Sequence, residues 1–263
     1  MPFRTILDGG SPFHRVGRSL LRAIPRDLAL PILSGPNRGL RWRLGAGVKR
    51  CWLGQYETRE LELMRRCVQP GNVVYDLGAH AGYYSLAAAR AVGPAGRVFA
   101  FEPDATNLAD LRFHVARNDL KQVEVVPHPV GLKHGDAVGF GGGASSFEGH
   151  VVAGGDLRLV SIDGWRAETG APPPDFVKMD VEGFELEALD GALGVLGQLN
   201  AVWTVALHGV DQVIGSLRRL RAAGYRVFDF DHGELIDKVP VVIWTLVAIP
   251  PARDPASVLG RPV

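Results

Sequence analysis

One strand-to-helix turn limits this chain more than any other feature. Val73-Val74-Tyr75-Asp76 reads as a short buried strand, Leu77-Gly78-Ala79-His80-Ala81-Gly82 follows, and the small residues from Tyr83 to Ala91 read as a helix. Glycine at 78 permits a tight turn and a close approach of backbone to a ligand, while glycine at 82 lets the helix begin hard against the strand. A strand that feeds a helix this abruptly is the opening unit of a parallel sheet with crossover connections.

The chain then repeats that rhythm. Arg97–Phe101, Val123–Val126, Phe176–Met179 and Ala201–Leu207 predict further strands. Asp104 is placed to cap a helix carrying Leu108, Leu111 and Val115 on one face. Leu186, Leu189, Leu193 and Leu196 predict another helix, and Asp211 a third with Val213, Ile214, Leu217 and Leu220, closed by Gly224. Tyr225–Phe230 and Val241–Ile249 succeed one another without room for a helix, which predicts an antiparallel hairpin at one edge. The expected class is therefore α/β: a doubly wound, Rossmann-like, mostly parallel sheet of seven strands, covered on both faces.

Two segments break the pattern. Residues 1–50 form an N-terminal arm, rich in Arg, Pro and Gly, whose stretch His14–Leu30 mixes Leu20, Leu21, Ile24 and Leu28 with Arg15, Arg18, Arg22 and Arg26. Pro25 interrupts it, so a packed arm or tail is preferred to a helix on a membrane surface. Gly131–Asp156 holds nine glycines, with His134, Ser145, Ser146 and His150 among them. It reads either as a hairpin or lid beside the site or as a plain surface loop. The main domain is expected over 51–251, with a tail at 252–263.

Composition excludes several classes. With 46% hydrophobic and 22% charged residues in 263, the chain is ordinary globular material. A net charge of +1 gives no reason to expect a nucleic-acid or anionic-membrane partner. The apolar run Val239–Pro251 is well short of the roughly 20 residues a membrane span needs. Cys51 and Cys67 have no metal-type spacing and suit free thiols in a reducing compartment, so a soluble cytoplasmic protein is expected. Oligomeric state is not legible.

In a doubly wound sheet, ligands bind beyond the carboxyl ends of the strands, where the strand order switches. The turn from Asp76 to Gly82 has the spacing G-x-x-x-G, whereas a dinucleotide site uses G-x-G-x-x-G to face a pyrophosphate. Asp76, two residues ahead of Gly78, would repel a pyrophosphate but could orient the ammonium of an amino-acid tail, directly or through water. Glu102 ends the second strand and is suited to accept both hydroxyl protons of a ribose. Together these residues favour a nucleoside with a zwitterionic tail over a dinucleotide.

Beyond this turn, several segments resemble the FkbM-type methyltransferases of the class I S-adenosylmethionine-dependent group. They are Gly54-Gln-Tyr-Glu57, Pro70 to Tyr84, Gly96 to Pro103 with Asn107, Ala116-Arg-Asn118, Val160 to Trp165, and Lys178-Met-Asp-Val-Glu-Gly-Phe-Glu185. The resemblance implies S-adenosyl-L-methionine as donor, held about Asp76, Gly78, Ala79, His80, Gly82, Glu102, Pro103 and Asn107. It also implies a small-molecule acceptor that usually offers a hydroxyl oxygen. His80 stands where such chains often have asparagine, and Ala206 where an acid is common.

Methyl transfer asks the protein to position the acceptor and, for a hydroxyl, to take its proton. The catalytic candidates are Asp180, Glu182, His208 and Lys178. Alternation would send Lys178, Asp180 and Glu182 to one side. Asp180 is favoured to position the acceptor or touch the cofactor, Glu182 to bind substrate or act as base, and Lys178 to hold the two acids ionised. Glu185 reads equally as a solvated first-turn acid. His208 is the other base candidate. A divalent cation on Asp180, His208 and Asp211 is weighed and not favoured, so no metal is expected. His14, His114 and His232 read as surface residues, and Tyr56 and Glu57 either cap the site or merely pack. The competing reading is a binding protein that keeps the cofactor pocket without turnover.

Overall fold

The computed structural model describes residues 27–141, 150–230, 233–234 and 245–261. A small hairpin, β1 (Ala29–Pro31) and β2 (Arg41–Arg43), and two helices, α1 (Lys49–Leu53) and α2 (Thr58–Cys67), precede the sheet. Then come β3 (Val73–Leu77), α3 (Tyr83–Val92), β4 (Arg97–Phe101), α4 (Ala105–Arg117) and β5 (Val123–Val126). A side sheet of β6 (Ala137–Gly141), β7 (His150–Ala153) and β8 (Leu157–Arg158) leads into α5 (Ile162–Thr169) and β9 (Phe176–Met179). The remainder is α6 (Glu185–Asp190), α7 (Leu193–Gly197), β10 (Val202–Ala206), α8 (Val210–Ala222), β11 (Arg226–Asp229), β12 (Gly233–Glu234), β13 (Thr245–Ile249) and α9 (Pro255–Leu259).

Strand order is β12-β11-β13-β10-β9-β3-β4-β5. Seven strands make up the expected sheet, and the two-residue β12 extends one edge. Pairing is parallel from β10 through β5, and β13 runs antiparallel to both β10 and β11. The antiparallel pair expected at one edge is thus present, with the later strand as its inner member. The Val241–Trp244 part of that last strand lies outside the described residues.

Alternation along the strands accounts for two cores. Val74, Val98, Phe176, Val202 and Val247 face one side with α2, α3 and α9, while Tyr75, Leu77, Phe99, Val177, Met179 and Trp203 face the other with α5 to α8. Both faces are dry, as a parallel sheet demands. The small residues Ala87, Ala88 and Ala89 let α3 lie close on the sheet. Order reverses between β3 and β9, so the switch point falls between Gly78 and Asp180.

Several sequence expectations are corrected here. The leucine row 186–196 is not one helix: the chain breaks at Gly191, where a Cβ would come 2.1 Å from the Gly131 carbonyl oxygen. Asp163 then accepts from the N–H groups of Gly194 (2.6 Å) and Val195 (3.0 Å), starting α7 afresh. Leu193 is 56% exposed as a result. The N-cap of α8 is Gly209, and Asp211 sits in the first turn. Within the tail expected at 252–263, Asp254 caps α9, whose Val258 and Leu259 join the core.

His114 was expected on the surface and is fully buried. Its ring stacks on Trp42 at 4.0 Å, its Nε2 accepts from the Arg43 N–H (2.9 Å), and its Nδ1 donates to the Ala81 carbonyl (2.8 Å). Burial pushes its pKa down to about 4, so the ring is neutral and both nitrogens are used. The part of the arm from residue 27 onward is therefore packed, and it ties the β1–β2 hairpin to the glycine turn. The stretch up to residue 26, including His14, and also His232, Ser145 and Ser146, lie outside the described residues.

Trp42 is the apolar anchor of this contact, 1% exposed and edge-on to Tyr83. Trp42→Ala is expected to lower unfolding free energy by about 3–5 kcal/mol, read from urea titration by circular dichroism. A loss below about 1 kcal/mol would show that the hairpin is not part of the cooperative unit.

Candidate functional site

A cavity opens over the carboxyl ends of β3, β4, β5 and β9. It is lined by Gly78, Ala79 and His80 from the turn, Glu102, Pro103 and Asn107 beyond β4, and Lys178, Asp180 and Glu182 beyond β9. Six of the eight residues expected around a cofactor line it, and Gly82 lies in the same turn outside the lining. Gly78 has φ +79°, and a Cβ there would lie 1.8 Å from the Asp180 carbonyl oxygen. Gly82 has φ +89°, and a Cβ there would meet Leu111 Cδ1 at 2.5 Å. At Gly78 any other residue would drive into the backbone beyond β9, and at Gly82 it would push the Leu111 side chain and strain a left-handed backbone.

Asp76, expected to orient an ammonium directly or through water, is not part of the lining. Its carboxylate is fully buried beneath the cavity, accepts from Ser85 Oγ at 2.5 Å, and lies 3.5 Å from Lys178 Nζ. Lys178 also donates to the Gly78 carbonyl (2.5 Å) and stands 3.5 Å from Asp180 Oδ2. Burial works against its ammonium, but Asp180, Asp76, Glu57 and Glu102 outweigh it and raise the lysine above its ordinary range. The two acids that Lys178 holds are thus Asp76 and Asp180, and not Asp180 and Glu182. In the β3–β9 register Asp76 is opposite Lys178, so both point to the same face.

Glu102 is 5% exposed, with Oε2 accepting from the His80 N–H (2.7 Å) and Oε1 from the Asp104 N–H (2.8 Å). Each oxygen keeps a lone pair for a further hydroxyl. Burial pushes Glu102 up to about 7, against the pull of the two N–H donors. Burial also pushes His80 down to about 4, which keeps that ring neutral.

The second cluster forms where β9 and β10 end. His208 Nδ1 is 2.7 Å from Glu185 Oε1, and its Nε2 is 3.3 Å from Glu182 and 3.6 Å from Asp180. Glu185 is not a solvated acid: it is fully buried. The hydrogen bond to Glu185 raises His208 to about 8. Alternation could not carry Glu182 to this place, because β9 ends at Met179; a left-handed turn at Glu182 (φ 51°) does so instead. Asp180, Glu182 and His208 bring ligand-type atoms within 4.8 Å of one another. Asp211 is exposed and takes no part, so the cation set weighed from the sequence does not assemble.

Among the described residues, five non-glycine residues have left-handed backbone, and three of them, Glu57, His80 and Glu182, line this cavity. Such strain of roughly 1–3 kcal/mol each persists where surrounding structure over-determines it, commonly at functional sites. Tyr56 and Glu57 belong to the lining, with Trp42, Tyr83, Phe184 and, from the glycine-rich insert, Phe140. The described part of that insert thus pairs two strands antiparallel, β6 with β7, and sets Phe140 beside the site. Its His134 turns away, 2.7 Å from Arg158 and 3.4 Å from Glu168. His128, overlooked in the sequence, also lines the cavity; its place just past β5 is the signal that identifies it.

A family model described as the methyltransferase FkbM domain matches residues 76–227. The hexuronic acid methyltransferase AglP of Haloferax volcanii is 28% identical over 166 residues, covering 59% of this chain and 64% of that protein, just under two thirds of its length. Precorrin-6y C5,15-methyltransferase from Geobacter metallireducens superposes with a TM-score of 0.50 at 18% identity, over 77% of this chain and 92% of that one. Methyltransferase FkbM from Methylobacillus flagellatus gives 0.46 at 20% identity, over 77% and 55%. No helix among the described residues is long and apolar enough to cross a membrane.

Lys178→Met would leave Asp76 buried without its counter-charge. A loss of about 3–5 kcal/mol in unfolding free energy is expected, and adding Asp76→Asn should recover at least half of it. Equal losses in the single and double variants would contradict the pairing.

Proposed function

The chain belongs to the methyltransferase FkbM domain family, and on that premise we propose that it moves a methyl group from S-adenosyl-L-methionine to a hydroxyl oxygen of a small acceptor, such as a sugar. The observation that carries this reading is His208. Buried Glu185 holds its Nδ1, so its Nε2 is turned toward Asp180 and Glu182 at the mouth of the cavity that Gly78 and Glu102 line.

The residues fit such a donor. Glu102 keeps lone pairs for ribose hydroxyls, Gly78 leaves its backbone bare, and Asn107, Pro103 and His128 extend the wall beyond β4 and β5. When bound, the donor supplies a methyl group already activated on a sulfonium, so the protein need not activate it further. The acceptor hydroxyl is oriented by Asp180 and Glu182. Its proton passes to His208 Nε2, and the resulting imidazolium sits among Glu182, Asp180 and Glu185, which stabilise it. A hexuronic acid, named for the Haloferax protein, is a polyhydroxylated molecule of this acceptor class and supports starting with sugars.

Radiolabelled donor incubated with uronic acids and neutral sugars tests the reading. His208→Ala is expected to lower kcat about 10²–10⁴-fold, and Asp180→Ala to slow turnover at saturating donor. Turnover left intact by both changes would sink the assignment. Donor binding without transfer to any acceptor would favour the competing view of a non-catalytic binding protein.

The pH profile gives a second check. His208 is protonated below about 8 and becomes a base above it. The rate should therefore rise through pH 8 and level off, and Glu185→Gln should move the midpoint down toward the ordinary imidazole value of about 6.5. An unchanged midpoint would exclude His208 as the titrating base.

A further inference from the structure

We propose that Glu57 is the carboxylate that receives the α-ammonium of the donor's amino-acid tail; this rests on the donor reading above. The other acids of the cavity are engaged. Asp76 is sealed below the floor, and Asp180 is paired with Lys178. Glu182 and Glu185 face His208, and both oxygens of Glu102 accept backbone N–H groups. Glu57 lines the cavity beside Tyr56, is half-buried, and has no carboxylate–cation contact within 4 Å among the described residues. A partly buried carboxylate with no cation at contact is matched by a full positive charge rather than by a neutral hydroxyl.

Backbone geometry gives an independent reason. Glu57 is the N-cap of α2, yet its side chain makes no capping hydrogen bond, and its backbone is left-handed at φ 45°, ψ 40°. Asp104, Ser161 and Asp254 all cap their helices with their side chains. Glutamate is a poor choice for either duty, since Asn or Asp would cap α2 and Asn or Gly would relax the turn. What the strained turn achieves is to present a long acidic side chain to the cavity.

Position relates Glu57 to the tail. Glu102 is joined to the glycine turn because Gly78 and Ala79 donate to the Phe101 carbonyl just before it. Glu57 lines the same cavity as Gly78, Lys178 and Glu102.

Calorimetric titration with S-adenosylhomocysteine and with 5′-methylthioadenosine, which lacks the amino-acid group, tests the assignment. Glu57→Gln removes the charge, and Glu57→Asn removes it while accepting the left-handed backbone. Both variants are expected to bind S-adenosylhomocysteine at least about tenfold more weakly and methylthioadenosine within about twofold of the parent, which also shows that they are folded. Parallel losses for the two ligands, or no loss for either, would overturn the role of Glu57. If the unaltered protein bound neither nucleoside, the donor reading itself would fall.

Discussion

Lys178 carries its charge in a buried position, wedged between Asp76 beneath it and Asp180 at the mouth of the site. An ammonium so placed is tolerated only because two carboxylates and the Gly78 carbonyl surround it. The same contact joins the tips of β3 and β9, the two strands between which sheet order reverses. Gly78 follows from it, since a Cβ there would overlap the Asp180 carbonyl. The site is thus a consequence of closing this gap with charge rather than with apolar packing, and its geometry is as firm as that buried pair.

Around this centre the protein adds support from distant parts of the chain. The β1–β2 hairpin reaches the glycine turn through Trp42 and His114, whose neutral ring bridges the Arg43 N–H and the Ala81 carbonyl. Glu185, buried in α6, sets the tautomer of His208 at the end of β10. In both cases a buried group orients a histidine, with opposite outcomes. Desolvation keeps His114 neutral and structural, while the carboxylate raises His208 to about 8 and makes it responsive near neutral pH.

Much of the frame was legible in the sequence, because a parallel sheet writes itself as apolar runs ended by glycine or acid. The turn Asp76–Gly82, the buried acid Glu102 and the cluster of Lys178, Asp180, Glu182 and His208 all follow from residues placed at strand ends. What escaped depends on contacts between remote segments. Nothing near His114 announces that Trp42 will stack on it, seventy-two residues away. The leucine spacing of 186–196 hides the break at Gly191, because Asp163 of another helix supplies the new cap. Asp76 is placed near a ligand by its distance to Gly78, whereas the β3–β9 register turns it inward against Lys178. Asp211 was weighed, without being favoured, as a partner of Asp180 and His208, but the left-handed turn at Glu182 brings a different acid to His208.

The central claim is that the cavity between Gly78 and Glu102 holds a nucleoside with an amino-acid tail and rejects a dinucleotide. Competitive calorimetry on the unaltered chain tests it most directly. The account predicts that S-adenosylhomocysteine binds at one site and that a large excess of NADH leaves its affinity unchanged. Binding of NADH with no binding of S-adenosylhomocysteine would contradict it.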